Sequence, residues 1–414
     1  MLENYKYVPL HVHSDYSNIT LIDSINRIPE LVDYCLELGL GGMALTDHET
    51  LAGTVKYITY YNSLTDEQKE NFKPIIGDEI YLVDEVRQAK MPHFLLLAKN
   101  RQGYELLKQI STQAWENSYN KGKITRRPIR KVELEEIVKD SKGNLVATTA
   151  CLAGEFATLV LELLELESAT DSTEAEIKEV KGKIVRFVKW GIATFGKENF
   201  YIEVQPSNQR DQILFNMKAK ELAKVFDLKM VVTTDAHYLK EEDRAIHSAF
   251  LMSKDLTRDS AQFYRSAYIM NAEEIYSYRS IKKVFSEEEL IEMLDNTVSI
   301  ANEVEVYDVF HNQDVPYVDR SAELEQLLIN NPTFKIDTTK YKNITRILNE
   351  QDPTTLYWWY RIYEFLDSKD KLNDEYVSRI DLEAEELFAI SDKLKVNLFS
   401  YYVTMTKIQD IAWD

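Results

Sequence analysis

His11 and His13 stand on alternate positions in the stretch PLHVHSDYS, in a chain with seven histidines among 414 residues. Side chains at i and i+2 of an extended segment project from one face, so both imidazoles can reach a single point, as metal ligands must. A chain of this composition acquires such a pair by chance about once in eight to ten sequences. The pair therefore gains meaning only from companions.

Companions follow at the ends of successive apolar runs: Asp47 and His48 in LTDHE, Glu79 in IIGDEIYL, His93 in HFLLLAKN, Cys151 in VATTACL, and Asp235 with His237 in TTDAHYL. Counted with His11 and His13, five of the seven histidines lie at these run ends. Taken singly, Glu79 reads as a solvated carboxylate, Cys151 as a core residue and His93 as a turn histidine. Together they exceed the needs of one four-coordinate zinc and suit a cluster of two or three metals. Adjacent divalent ions clamp a phosphoryl group, lower the pKa of bound water and stabilise a leaving oxygen, with a carboxylate such as Glu79 as bridge. Phosphoester hydrolysis is the expected reaction.

The elements that must carry these groups are seven strand candidates: YVPLHVH, GGMALTDH, PIIGDEIYLV, HFLLLAKN, NLVATTACL, NFYIEVQ and KMVVTTDAHYL. Helical runs such as RIPELVDYCLELGL, RQGYELLKQISTQAW, KVELEEIVKD and ILFNMKAKELAKVFDL alternate with them. Repeated β-then-α units predict a parallel sheet with helices outside, closed as an α/β barrel with its chemistry at the strands' C-terminal ends. His93 departs from that rule, since it opens its strand; either the strand begins earlier or a loop places the residue. The acidic stretch 161–183 predicts a surface helix break and restart, with a capping box at Thr173 and Glu176. Beyond residue 270 the alternation ceases and the chain reads as mostly helical, with a boundary between 265 and 320.

Hydrophobic residues make up 44% of the chain, which suits a globular protein, and no apolar run approaches a membrane span. The N-terminus lacks a secretory signal pattern, so a cytoplasmic location in a bacterial or phage-infected cell is expected, with no membrane partner. Two cysteines cannot make a disulfide framework; Cys35 falls at helical core spacing, while Cys151 is either core or thiolate ligand. The net charge of −20 argues against non-specific nucleic-acid binding by the whole surface. The one concentrated basic run, KGKITRRPIRK (121–131), is either a substrate-side loop or an ordinary solvated one.

HVHSDYS, ALTDHETLAG, PIIGDEIYLV, HFLLLAKNRQGYELL, ATTACLAGE and VTTDAHYL together resemble the PHP (polymerase and histidinol phosphatase) domain, in the form found at the N-terminus of bacterial DNA polymerase III alpha subunits. The resemblance spans residues 7–240 and implies a distorted seven-stranded β/α barrel. It also implies a centre of two or three divalent ions, zinc, manganese or iron, with ligands His11, His13, His48, Glu79, His93, Cys151, Asp235 and His237. A ninth, acidic ligand falls at Asp23 if SNITLIDS carries three extra residues, with Asp15 as the alternative. Of these, His11, His13, His48, Glu79, Asp235 and His237 are the expected catalytic set.

The implied organisation is a PHP domain over 1–270, a connector over 271–340 and the mostly helical start of a polymerase palm over 341–414. Within the last, residues 375–414 resemble an Arg-and-acid-rich helix followed by an aromatic strand leading into the palm. The sequence ends before the palm's Asp-x-Asp motif, so this polypeptide alone is expected not to polymerise DNA. The implied partners are the 3′ end of a primer, a second polypeptide carrying the rest of the polymerase, and other replisome subunits. An exposed apolar surface is expected around Tyr401, Tyr402 and Trp413. Three functions compete: a 3′-5′ exonuclease, a metal-stabilised structural module of the polymerase, and a stand-alone phosphatase of the histidinol-phosphatase type.

Overall fold

The protein is described by a computed structural model over residues 2–19, 22–122, 124–253, 264–310 and 314–413, with side chains as far as 410. It forms two compact units, Met1–Val309 and Phe310–Asp414.

The first unit is built on a seven-stranded sheet in the order β1-β2-β3-β7-β8-β9, with β6 pairing to β2. Its strands are β1 (Gly42–Leu45), β2 (Lys73–Val83), β3 (His93–Ala98), β6 (Pro128–Arg130), β7 (Leu145–Thr148), β8 (Phe200–Val204) and β9 (Met230–Val232). A separate two-stranded hairpin comprises β4 (Tyr119–Lys121) and β5 (Ile124–Arg126). The sequence segment YVPLHVH is not a regular strand. Pro9 has no N–H to give to a ladder, and the segment keeps only the Val12–Ala236 bridge. It nevertheless bonds on both sides: Thr46 N donates to Val12 O, and His13 N to Ala236 O. This seam joins β1 to the end of β9, so the sheet curls into a distorted α/β barrel.

The expectation of a parallel sheet needs correction at β3, which runs antiparallel to both β2 and β7. A nine-residue connection joins Val83 to His93, too short for a crossover helix and long enough for a reversal. Gly77 lets the neighbouring strands close up, because a Cβ there would stand 2.6 Å from Leu96 O and 2.7 Å from Thr46 Cγ2.

One apolar side chain from each principal strand, Ala44, Ile75, Leu95, Val146, Tyr201 and Val231, clusters with Ile300, Ala301 and Val304. Contributions from six of the seven sheet strands mark the barrel interior, and the helix Glu287–Glu303 supplies the plug at its lower end. Thr297 Oγ1 receives Val8 N there, and Asn296 Nδ2 donates to Met230 O. Outside, the helix Glu174–Phe195 starts at Thr173 with the expected capping box, and its Phe187 and Trp190 pack on Phe94. Cys35 is a fully buried core residue of the helix Ile28–Glu37.

The second unit is helical, with Trp359, Tyr363, Ile344, Ile347, Val377 and Phe399 at its core. The aromatic strand expected after the helix Asp374–Leu394 is a helix, Phe399–Trp413. Phe399 and Val403, four apart, are buried, while Tyr401 and Tyr402 are 46% and 47% exposed. That is a helical period, and the core beneath selects it. The side chain of Trp413 lies outside the described residues. Among the described residues, no helix is long and apolar enough to cross a membrane.

Candidate metal centre

The antiparallel course of β3 explains His93. A reversed strand has its N-terminal end where its parallel neighbours have their C-terminal ends, so His93 opens β3 at the rim where the other candidates collect. Its main chain bridges to Gly154, just past Cys151. At the same rim the backbone turns through positive φ at Glu49 (54°), Ala150 (56°) and Asp235 (49°). A left-handed turn costs a non-glycine residue about 1–2 kcal/mol, which the surrounding packing must offset.

Glu79 lies at the middle of the site. Its Oε1 is 3.2 Å from His11 Nε2 and 2.9 Å from His93 Nδ1, and its Oε2 is 3.3 Å from His13 Nε2 and 2.6 Å from His48 Nδ1. Asp235 Oδ1 approaches His11 Nε2 at 3.3 Å and His13 Nε2 at 3.1 Å. Asp23 Oδ2 is 2.7 Å from His48 Nε2 and 3.1 Å from His237 Nε2. Cys151 Sγ stands 3.6 Å from His93 Nδ1 and 4.0 Å from Glu79 Oε1. The structure thus gathers all nine candidates, while Asp15 is exposed in the 3-10 turn Asp15–Ile19.

Several of these close approaches lack hydrogen-bond geometry. His11 Nε2, His13 Nε2, His48 Nδ1, Glu79 Oε2 and Asp235 Oδ1 are buried and have no hydrogen-bond partner. Donor atoms that converge without hydrogen-bond geometry are what bound cations satisfy, and such orphans otherwise cost about 1–3 kcal/mol each. The donors form overlapping groups able to hold an ion: His13, His48 and His237; His11, His13, Glu79 and Asp235; His48, Glu79 and His93. The groups share members, and the mixture of imidazole, carboxylate and thiol is a donor set for divalent metal ions.

Without ions the charges settle among the side chains themselves. Burial opposes charging of His48, but Glu79 and Asp23 outweigh it and raise its pKa well above the usual histidine range. Burial likewise opposes His11, and Asp235, Glu203 and Glu79 raise it. His13 goes the other way, lowered by burial and by His48 and His237. Burial would raise Asp23, yet His237 and His48 hold it well below the normal carboxylate range. Burial pushes the Cys151 thiol up, as do the Asp235 and Glu79 carboxylates.

Three supporting residues were not legible as such in the sequence. Glu203 on β8 is fully buried; its Oε1 lies 2.8 Å from His11 Nδ1 and receives Thr233 Oγ1 at 2.6 Å. A proton on His11 Nδ1 donates to that carboxylate and leaves Nε2 free as a ligand. Its only sequence signal is an acid alternating within the apolar strand FYIEV. His247 Nε2 donates to Asp23 O at 2.6 Å, and Tyr264 Oη to Asp23 Oδ1 at 2.7 Å. Asp47, one of the strand-end acids, takes another role: it accepts Ser14 N at 2.6 Å, Ser14 Oγ at 2.8 Å and Ser17 Oγ at 2.7 Å, which fixes the turn after His13.

Among known proteins, residues 9–207 match the PHP domain family. The chain is 36% identical over 423 residues to a protein described as "Probable DNA polymerase YorL" from Bacillus subtilis (strain 168), covering 98% of this chain and 32% of that protein. The DNA-directed DNA polymerase of Bacillus phage SPbeta matches with the same figures. The DNA polymerase III subunit alpha of Aquifex aeolicus is 32% identical over 259 residues, 59% of this chain and 19% of that one. The chain therefore spans about a third of the length of the first two relatives. A solved histidinol phosphate phosphatase from Lactococcus lactis, complexed with zinc, L-histidinol and phosphate, covers 59% of this chain and 92% of its own at 16% identity, with a TM-score of 0.30.

Proposed function

Residues 9–207 are a PHP domain of the kind carried by C-family DNA polymerases, and from that premise we propose that this chain hydrolyses phosphodiester bonds at DNA 3′ ends. The observation that carries the reading is Glu79, one buried carboxylate within 3.3 Å of four imidazoles.

His11, His13, Glu79 and Asp235 would hold one ion, His48 and His93 with Glu79 a second, and His237 with Asp23 a third, each neutral imidazole giving its one free lone pair to one ion. Bound divalent ions supply an activated hydroxide near neutral pH and a positive clamp for the phosphoryl oxygens. The side chains set the stage for this. Glu203 fixes the tautomer of His11, Tyr264 and His247 fix Asp23, and Asp47 fixes the turn carrying His13. Neutral imidazoles dominate the donor set, so the loaded centre keeps positive charge for a phosphate. His93, 19% exposed at its side chain, is the most accessible of the paired ligands and marks the side from which substrate enters.

The test is to purify the chain, quantify its metal, and offer a 5′-labelled primer with a mismatched 3′ end in Mn²⁺ or Zn²⁺. Stepwise shortening from the 3′ end is expected, and His13→Ala should abolish both metal and activity with the fold retained. Full metal occupancy without nuclease activity would refute the reading and leave a structural centre. Hydrolysis of histidinol phosphate but not of DNA would move the assignment to a small phosphomonoester.

A further inference from the structure

The basic stretch 119–131 carries six Lys or Arg residues and no acid, in a chain of net charge −20. Most of its cations whose side chains are described are already engaged. Arg130 pairs with Glu133, Lys131 with Asp84 and Glu155, and the Arg127 guanidinium stacks on Trp115 at 3.9 Å.

Arg126 is different. It makes no ion pair among the described residues; its Nη1 donates to Tyr81 Oη at 3.0 Å, and its Nε is buried with no hydrogen-bond partner. Tyr81 lies two residues beyond Glu79 on β2, hence on the same face, and its ring is 5.2 Å from that of His93. The pairing of Tyr81 with Pro128 brings the end of the hairpin to this point, and Arg127 N donates to Glu49 Oε1 beside His48. Arg126 is therefore separated by one side chain, Tyr81, from His93 at the accessible edge of the centre.

We infer that Arg126, seated on Tyr81, holds a backbone phosphodiester of a single-stranded polynucleotide next to the metal centre. The inference rests on the proposed nuclease reading and names the residue that positions its substrate. A guanidinium presents a planar fork matched to two phosphate oxygens. Among the described residues only one of its nitrogens is engaged by protein, and by a neutral hydroxyl that an anion readily outcompetes. The net charge of −20 works against polynucleotide binding by the surface at large, whereas this stretch carries no acid.

The test measures binding of a fluorescein-labelled single-stranded 12-mer with hydrolysis-resistant phosphorothioate linkages to the full metal-loaded chain, by anisotropy across a salt series. Arg126→Ala should weaken binding about tenfold and reduce the slope of log K against log salt by about 0.7, the value of one phosphate contact on a single strand. Arg126→Lys should fall between, because it keeps the charge and loses the fork. Lys183→Ala, an equal charge change on the outer helix Glu174–Phe195, should leave both quantities unchanged. Metal content and melting temperature are measured on every variant. Equal binding by Arg126→Ala and the parent overturns the inference, as does weaker binding that tracks lost metal or lost fold. With a natural DNA primer, a raised KM at unchanged kcat supports it. Arg126-dependent binding with no hydrolysis of any DNA would sink the nuclease reading and leave the phosphate seat standing.

Discussion

Replacing Glu203 separates a residue that positions a metal ligand from one that is a ligand. Its Oε1 faces three donors, His11 Nδ1 at 2.8 Å, Thr233 Oγ1 at 2.6 Å and Gln205 Nε2 at 3.1 Å, while Oε2 faces Thr148 Oγ1 alone. In Glu203→Gln the amide oxygen belongs on the three-donor side and the NH₂ toward Thr148, whose hydroxyl can rotate to accept. The His11 tautomer then survives and only the charge is lost, which roughly halves the strength of the bond to His11. The expected effect is about a tenfold fall in metal affinity, or about 1.4 kcal/mol. Glu203→Ala removes the acceptor altogether, leaves a buried N–H unpaired, and should cost about a hundredfold. Competition between the protein and a chelator of known affinity measures both, with circular dichroism to confirm the fold. Unchanged affinity in Glu203→Ala would refute the positioning role. Loss in Glu203→Gln as severe as in His11→Ala would show that Glu203 is itself a ligand.

Glu79→Gln exchanges the central carboxylate for an amide that cannot bridge ions, so bound metal by mass spectrometry should fall to a small fraction of the parent's, with activity lost alongside. The chelated chain should depend on pH at both ends. The raised pKa values of His11 and His48 give stability that is fully present below about pH 6.5 and lost as pH rises through their folded values. The lowered Asp23 gives stability present above about pH 4 and lost as pH falls through its folded value. Metal binds neutral imidazole, so the melting-temperature gap between loaded and chelated protein should widen from pH 6 to pH 9; a constant gap would contradict this. In the second unit, Trp359→Ala should cost about 3–5 kcal/mol in denaturant unfolding. Lys395→Gly relieves an exposed left-handed residue at φ 58° and should gain about 0.5–1 kcal/mol.

The candidate site was legible because metal ligands are chemically conspicuous: histidines at apolar run ends remain visible whatever the strand direction. Strand direction was not visible. HFLLLA reads the same forwards or backwards to a hydrophobicity pattern, and only the short connection from Val83 to His93 hints at reversal. Glu203 escaped because a single acid in an apolar strand carries no spacing to mark it, and its role arises from contacts with His11 and Thr233, 192 and 30 residues away. Position 399 onward misled for a different reason. Aromatic residues in a row favour a strand locally, but the buried pair Phe399 and Val403 follows the helical period that the core of the second unit imposes.

The reversal of β3 also sets the order in which the centre can assemble. Glu79 and His93 are fourteen residues apart and meet through a local antiparallel pairing. By contrast, Asp23 and His237 are 214 apart, and His11 meets Glu203 across 192. Closing the long loops costs chain entropy that the short one avoids, so the Glu79–His93 pair is available early and the complete ligand set only when the seam between residues 9–13 and 236 has formed. In refolding, tight metal capture therefore follows closure of that seam, and a bound ion serves as a timestamp for the last long-range step of folding.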